Sequence, residues 1–234
     1  MSGTSGTIGV VRFPGTNCDE DVWHAVSAAA GARPVWLWHK ETDLQGARAI
    51  VLAGGFAYGD YLRAGAIARF SPIMDEVIRF ANAGGPVLGI CNGFQVLAEA
   101  GLLPGAMLRN DRLSFVCRPQ WLRVESTATP FTSEYAEGAL VQFPVAHAEG
   151  CFYADTDMLD RLEGERRVVF RYVDAAGAMT AEANPNGSAR SIAGITNEAR
   201  NVLGLMPHPD RAMEELLGSS DGRAMFTALA EAAA

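Results

Sequence analysis

What most limits the folds open to this chain is a unit that recurs through its N-terminal half: a short apolar run, a turn rich in glycine or proline, then a helical pattern. The runs at 8–13, 34–38, 49–53 and 87–90 are strand-length and rich in Val, Ile and Leu, which marks strands buried on both faces. Three helical patterns accompany them. Residues 19–30 carry acidic side chains early and stop at Gly31; 71–85 open on the cap and first-turn pair Ser71-Pro72 and end at Gly84-Gly85; 92–100 space Phe94, Leu97 and Ala98 helically before Gly101. Buried strands alternating with helices require crossover connections, so the expected class is α/β, a mainly parallel sheet with flanking helices.

Beyond Pro104 the rhythm loosens into shorter β-like pieces around 115–116, 121–124, 140–143 and 168–173, which predict antiparallel additions to the sheet. Strands return at 191–196 and 202–206, and 222–233 reads as a closing helix that frays into an Ala-rich tail. With no internal repeat and no linker, and with 49% hydrophobic residues, the 234 residues read as one domain spanning 1–234.

Charge and cysteine usage narrow the function. A formal net charge of −8, with Lys40 the only lysine, leaves no basic stripe for nucleic acid. No apolar run approaches the roughly 20 residues that span a bilayer, and the opening MSGTSGT lacks the regions of a secretory signal, so a cytoplasmic protein is expected. Cys18, Cys91, Cys117 and Cys151 show no CxxC spacing, which argues against a metal site or a disulfide scaffold. Cys117 and Cys151 are expected to be small buried hydrophobes. No GxxxxGK[ST] phosphate loop is present, so no cofactor is expected on this chain.

Cys91 is different. It sits in Gly89-Ile90-Cys91-Asn92-Gly93, between an apolar strand and a helix, which is the nucleophile-elbow layout with cysteine in place of serine. The glycines permit a tight turn that projects the sulfur above the sheet, and the helix N-terminus favours a thiolate. Gly54-Gly55-Phe56 follows another strand, and parallel strands bring such loops to one edge of the sheet. The backbone N–H groups of Phe56 and Asn92 are therefore candidate donors to an oxyanion.

Of the four histidines, His24 falls in the first helix, His39 follows a strand without a partner motif, and His147 stands in a VAHAEG loop that could contact a ligand. His208, in Met206-Pro207-His208-Pro209-Asp210, also follows a strand and has a carboxylate two residues on. Cys91, His208 and Asp210 thus supply nucleophile, base and orienting acid.

These residues resemble the class I glutamine amidotransferases, a family with a flavodoxin-like fold and a Cys-His-acid triad. The segments RFPGTNCDED (12–21), GGFAYGDYLRAGAIARFSP (54–72), GICNGFQVLAEAGLLPG (89–105), LRNDRLSFVCR (108–118), PVAHAEG (144–150) and MPHPDR (206–211) are most similar to one branch of it, the glutaminase subunits of phosphoribosylformylglycinamidine synthases. That resemblance implies an enzyme that hydrolyses glutamine through a cysteine thioester. The ammonia serves a partner synthetase, with or without a small accessory subunit, in the ATP-dependent conversion of formylglycinamide ribonucleotide to formylglycinamidine ribonucleotide. ATP and magnesium would then belong to the partner. It also implies glutamine contacts along Gly54, Gly55, Phe56, Asn92, Gly93 and Gln95. One departure is Asp210, where the family usually carries Glu. Competing readings are a glutaminase for another synthetase, a cysteine hydrolase or peptidase of similar fold, and a non-catalytic binding subunit, the last disfavoured by the intact Cys91 and His208.

Overall fold

The computed structural model describes residues 6–234. In chain order the elements are β1 (Gly6–Arg12), α1 (Asp19–Ala28), β2 (Ala32–Trp38), β3 (Ala49–Leu52), α2 (Pro72–Asn82), β4 (Val87–Ile90), α3 (Asn92–Glu99), β5 (Ala106–Leu108), β6 (Val116–Val124), β7 (Leu140–His147), β8 (Cys151–Tyr153), α4 (Thr156–Gly164), β9 (Val168–Tyr172), β10 (Ile192–Thr196), β11 (Val202–Leu205) and α5 (Arg223–Ala233). Nine strands form one sheet in the order β2-β1-β3-β4-β11-β10-β9-β6-β7, and β5 and β8 make a separate ribbon. β2, β1, β3, β4 and β11 run parallel, while β10, β9, β6 and β7 extend the sheet with antiparallel pairings. The expected α/β class with antiparallel additions is thus observed.

The apolar runs decide the centre of the sheet. Every residue of β3, β4 and β11 is buried, because α3 packs on all three strands while α1 and α5 pack together over the neighbouring β1. α2 opens with Pro72 at its first position after Ser71, as expected. Among the described residues no helix is long and apolar enough to cross a membrane.

Several details depart from the sequence reading, among them the β5–β8 ribbon, which it does not contain, and β7, which continues to His147 through residues read as a loop. α1 ends at Ala28, two residues early, and β6 is one nine-residue strand where two pieces were expected. α4 was not anticipated; the Asp155 side chain caps it by accepting the Met158 N–H at 2.8 Å, and it buries only Leu159 and Leu162. Cys117, expected inside, is exposed, and Cys151 is only partly buried. β6 pairs with β9 only through residues 122–124, so its first half, which holds Cys117, has a single neighbour, β7.

Candidate active site

β4 ends at Ile90 and α3 begins at Asn92, so Cys91 is the whole of the connection. Its backbone has φ 51° and ψ −108°. A non-glycine residue in that region costs about 1–3 kcal/mol and persists only where its surroundings enforce it. Here they do: Cys91 N–H donates to Leu205 O at 2.8 Å, and the Cys91 carbonyl accepts the Phe94 N–H at 3.0 Å. A Cβ on Gly93 would lie 2.0 Å from Leu52 O, so only glycine lets α3 settle this close to β3. The sulfur is buried and lies 3.8 Å from Ala146 O at the end of β7.

β11 runs parallel to β4 with Leu205 opposite Ile90, so the chain leaving β11 emerges beside Cys91. His208 N–H is pinned to Pro144 O at 2.8 Å. A Cβ on Gly54 would sit 2.7 Å from His208 Cε1 and 3.4 Å from Cys91 Cβ; imidazole and nucleophile flank the same glycine. Asp210 faces Nδ1 at 3.4 Å and 3.5 Å through its two oxygens, the outer limit of a hydrogen bond. That long reach is what a side chain one methylene short of glutamate produces. Nε2 of His208 is buried with no protein partner. Burial disfavours the charged ring, but the charges of Asp210 and Cys91, with the hydrogen bond to Asp210, outweigh it and hold His208 well above its usual range. The site is built to hold an imidazolium.

Two small cavities flank the nucleophile. One, about 100 Å³, is bordered by Cys18, Gly55, Phe56, Cys91, His208 and Arg211 among others. The other, about 90 Å³, is bordered by Gly55, Phe56, Asp60, Cys91, Gln95, His147 and Glu149 among others. Gly55, Phe56 and Gln95, expected at the substrate, therefore line space next to the sulfur. Asn92 N–H, in the first turn of α3, belongs to the set of amides without an intrahelical acceptor. The Phe56 N–H, in contrast, donates to Gly15 O at 2.9 Å, so it meets an oxyanion only if that bond opens. Gln95 is also engaged: Nε2 donates to Glu149 O at 2.6 Å and Oε1 accepts from Asn92 at 2.9 Å, which leaves one hydrogen and one lone pair.

Several residues that sequence reasoning left unassigned meet here. Cys18 is buried, and Arg211 Nη2 donates to its sulfur at 3.1 Å while Arg211 Nε donates to Asp21 at 2.9 Å. Asp60 and Glu149 face the second cavity. Their only sequence signal was membership of the 54–72 and 144–150 motifs, because contacts across 32 or more positions leave no local pattern. His24 pairs with Glu214 at 2.7 Å on the surface. His39 is buried, with Nδ1 2.7 Å from the Tyr58 hydroxyl. Neither borders the two cavities.

The chain matches the CobB/CobQ-like glutamine amidotransferase domain over residues 6–225. It is 60% identical over 222 residues to the phosphoribosylformylglycinamidine synthase subunit PurQ of Chlorobaculum parvum, covering 95% of this chain and 88% of that one. It is 55% identical over 225 residues to the protein of the same name from Salinibacter ruber, covering 96% of each. Among solved structures, that of PurLQS from Thermotoga maritima superposes with a TM-score of 0.85 at 40% identity, over 96% of this chain and 97% of that one.

Proposed function

This chain belongs to the CobB/CobQ-like glutamine amidotransferases, and we propose that it is the ammonia-producing subunit of a phosphoribosylformylglycinamidine synthase, with Cys91, His208 and Asp210 as its catalytic residues. The observation that carries the residue assignment is a strained, buried cysteine at a strand–helix elbow that shares one glycine with a buried histidine held by a carboxylate.

The chemistry follows from the groups present. The Cys91 thiolate attacks the side-chain carboxamide carbon of glutamine, and the charge gathering on its oxygen meets the free amide of Asn92 at the positive end of α3. The C–N bond breaks as His208, protonated at neutral pH, gives its Nε2 proton to the departing nitrogen. Ammonia leaves, and a glutamyl thioester remains on Cys91. Neutral His208 then takes a proton from water, whose oxygen attacks the thioester carbon and releases glutamate. The thiolate and the imidazolium are thereby restored. Asp210 keeps the Nδ1 proton in place throughout.

The ammonia passes to a synthetase subunit, with or without a small accessory subunit, which with ATP and magnesium converts formylglycinamide ribonucleotide to formylglycinamidine ribonucleotide. We read the chain as one amidotransferase domain acting in the cytoplasm. A glutaminase is separated from a peptidase of similar fold by its acyl donor. Incubation with a chloroketone or diazoketone analogue of glutamine should add the mass of one analogue less the HCl or N2 it expels to the peptide containing Cys91, with free glutamine protecting. Labelling of another cysteine, or none, would remove the assignment.

A further inference from the structure

The turn that follows β3 is held by a set of side chains that the catalytic triad does not explain. It carries Phe56 and Asp60, which border the space beside Cys91. Its backbone is costly: Tyr58, Asp60 and Leu62 have φ of 56°, 53° and 70°, a region that side chains rarely adopt. Such a conformation persists only where the surroundings over-determine it. One anchor is Asn92, next to the nucleophile, whose Oδ1 accepts the Ala57 N–H at 3.0 Å and whose Nδ2 donates to Asp60 Oδ1 at 3.3 Å. The second is the Tyr58 hydroxyl, which lies 2.7 Å from His39 Nδ1 and 2.9 Å from Ser71 Oγ.

Both partners of that hydroxyl are buried and fixed through their backbone. His39 donates its N–H to Arg12 O at 3.1 Å, at the end of β1, and its carbonyl accepts from Ile73 in the first turn of α2 at 3.2 Å, so the imidazole stands on two packed elements. Its ring meets that of Tyr58 edge-on, with centroids 5.6 Å apart. Burial, then the charge of Lys40, lower His39 from its usual value, so the ring is neutral at pH 7. Ser71 is the N-cap of α2, where a serine ordinarily accepts a backbone N–H of the first turn. Here it makes no such bond, and its hydroxyl is turned to Tyr58 instead. His39 Nε2 is buried without a partner. Helix and imidazole thus each forgo a hydrogen bond while Tyr58 is doubly held. None of the three side chains borders either cavity, so any effect they have on the reaction passes through the turn.

We propose that His39 and Ser71 are positioning residues for glutamine turnover, acting through the Tyr58 hydroxyl to hold the 56–60 turn beside Cys91. The inference rests on the glutaminase reading and names residues outside the site that set its rate. The Phe56 N–H donates to Gly15 O, so it meets an oxyanion only when the Gly55–Phe56 peptide turns. That one peptide can rotate without carrying the rest of the turn with it only if Tyr58 stays anchored. Asp60 keeps its own clamp in Asn92, so the cavity wall it forms depends less on the hydroxyl. The His39–Tyr58–Ser71 chain therefore acts on the step at which charge gathers on oxygen, and little on the binding of the amide.

The test uses the assembled complex and compares glutamine hydrolysis with synthesis from ammonium salt, which needs assembly but not the turn. Tyr58→Phe keeps the ring and removes the hydroxyl; Ser71→Ala removes one partner of that hydroxyl from a helix with no side-chain cap to lose. Tyr58→Phe should lower kcat for glutamine hydrolysis by about 10- to 100-fold with KM within about threefold of wild type, the signature of a misplaced transition-state donor. Ser71→Ala should lower kcat by about 3- to 10-fold, and the double variant should be no slower than Tyr58→Phe, because the serine acts only through the hydroxyl. His39→Asn, whose amide offers a hydrogen-bonding group in place of Nδ1, should turn over at least about threefold faster than His39→Leu. Ammonia-dependent synthesis should stay within about twofold of wild type throughout, and Ser71→Ala decides should Tyr58→Phe fail to assemble. Wild-type kcat in the single variants, losses that add in the double variant, or equal losses with glutamine and ammonia would overturn the proposal, since residues that only support the fold move the thermal midpoint and not the turnover of assembled complex. A wild-type complex inert towards glutamine would instead overturn the reaction assigned to the chain.

Discussion

Asp210 stands where the sequence resemblance implies a glutamate, and its geometry gives the difference a size. Both oxygens stand 3.4–3.5 Å from His208 Nδ1, where a well-made charged hydrogen bond would measure about 2.7–2.9 Å. At that separation, and at an effective dielectric near 20, the attraction between the carboxylate and the imidazolium is about 5 kcal/mol, an upper bound on what neutralising the acid removes. The charge of Cys91 still holds the ring up, so the realised loss is smaller. Asp210→Asn should lower kcat/KM for glutamine hydrolysis by about 10- to 1,000-fold, less than removal of Cys91. The sign of the pH effect is also fixed: without the carboxylate the folded-state pKa of His208 falls, so the imidazolium needed to protonate the leaving nitrogen is lost at lower pH and the alkaline limb of the rate profile moves to lower pH. Asp210→Glu adds the missing methylene, closes the gap to Nδ1 and should retain at least half of the wild-type rate. The assay is steady-state glutamine hydrolysis by the assembled complex across pH. Asp210→Asn within twofold of wild type, with an unmoved alkaline limb, would show that the orienting acid lies elsewhere.

Three further outcomes follow from the same geometry. Gly54→Ala places a methyl 2.7 Å from His208 Cε1, so hydrolysis should fall by about 100-fold or more while the thermal midpoint moves by a few degrees; full activity in a folded variant would contradict the packing described. Asp60 titrates near 6 in the free enzyme, faced by Glu149, with its Arg109 partner, and by Asn92 and Gln95 of α3. Protonation removes a charge from the wall of the cavity beside Cys91, so the pH profile of kcat/KM should bend near 6, and that bend should be absent in Asp60→Asn. The isolated chain should hydrolyse glutamine slowly and the synthetase should raise the rate, because the Phe56 amide is spent on Gly15 in the chain alone; full glutaminase activity without the partner would refute this.

The sequence made the parallel half of the fold legible because its strands are buried on both faces and so announce themselves as unbroken apolar runs: β3, β4 and β11 fall within a residue of where those runs predicted them. The same runs led directly to Cys91 and His208, since residues that immediately follow parallel strands gather at one edge. The antiparallel half was harder. β6 carries Pro119 and an exposed first half, so its nine residues read as fragments, and α4 shows the core only Leu159 and Leu162, too few for a clear helical period. Cys18, Asp60 and Arg211 escaped assignment for a related reason. Each is placed at the site by a loop whose course depends on distant partners, as with Asn92 and Asp60 or Arg211 and Cys18. No local pattern encodes such a contact.

The central claim, that Cys91 frees ammonia for use on another polypeptide, is tested most directly by replacing the sulfur and supplying the ammonia from solution. The complex carrying Cys91→Ala, whose buried side chain loses only the thiol, should make no formylglycinamidine ribonucleotide from glutamine yet retain the wild-type rate with saturating ammonium salt. Glutamine-dependent synthesis near the wild-type rate in that complex would contradict the account, because another residue, such as Cys18 in the same cavity, would then have to form the thioester.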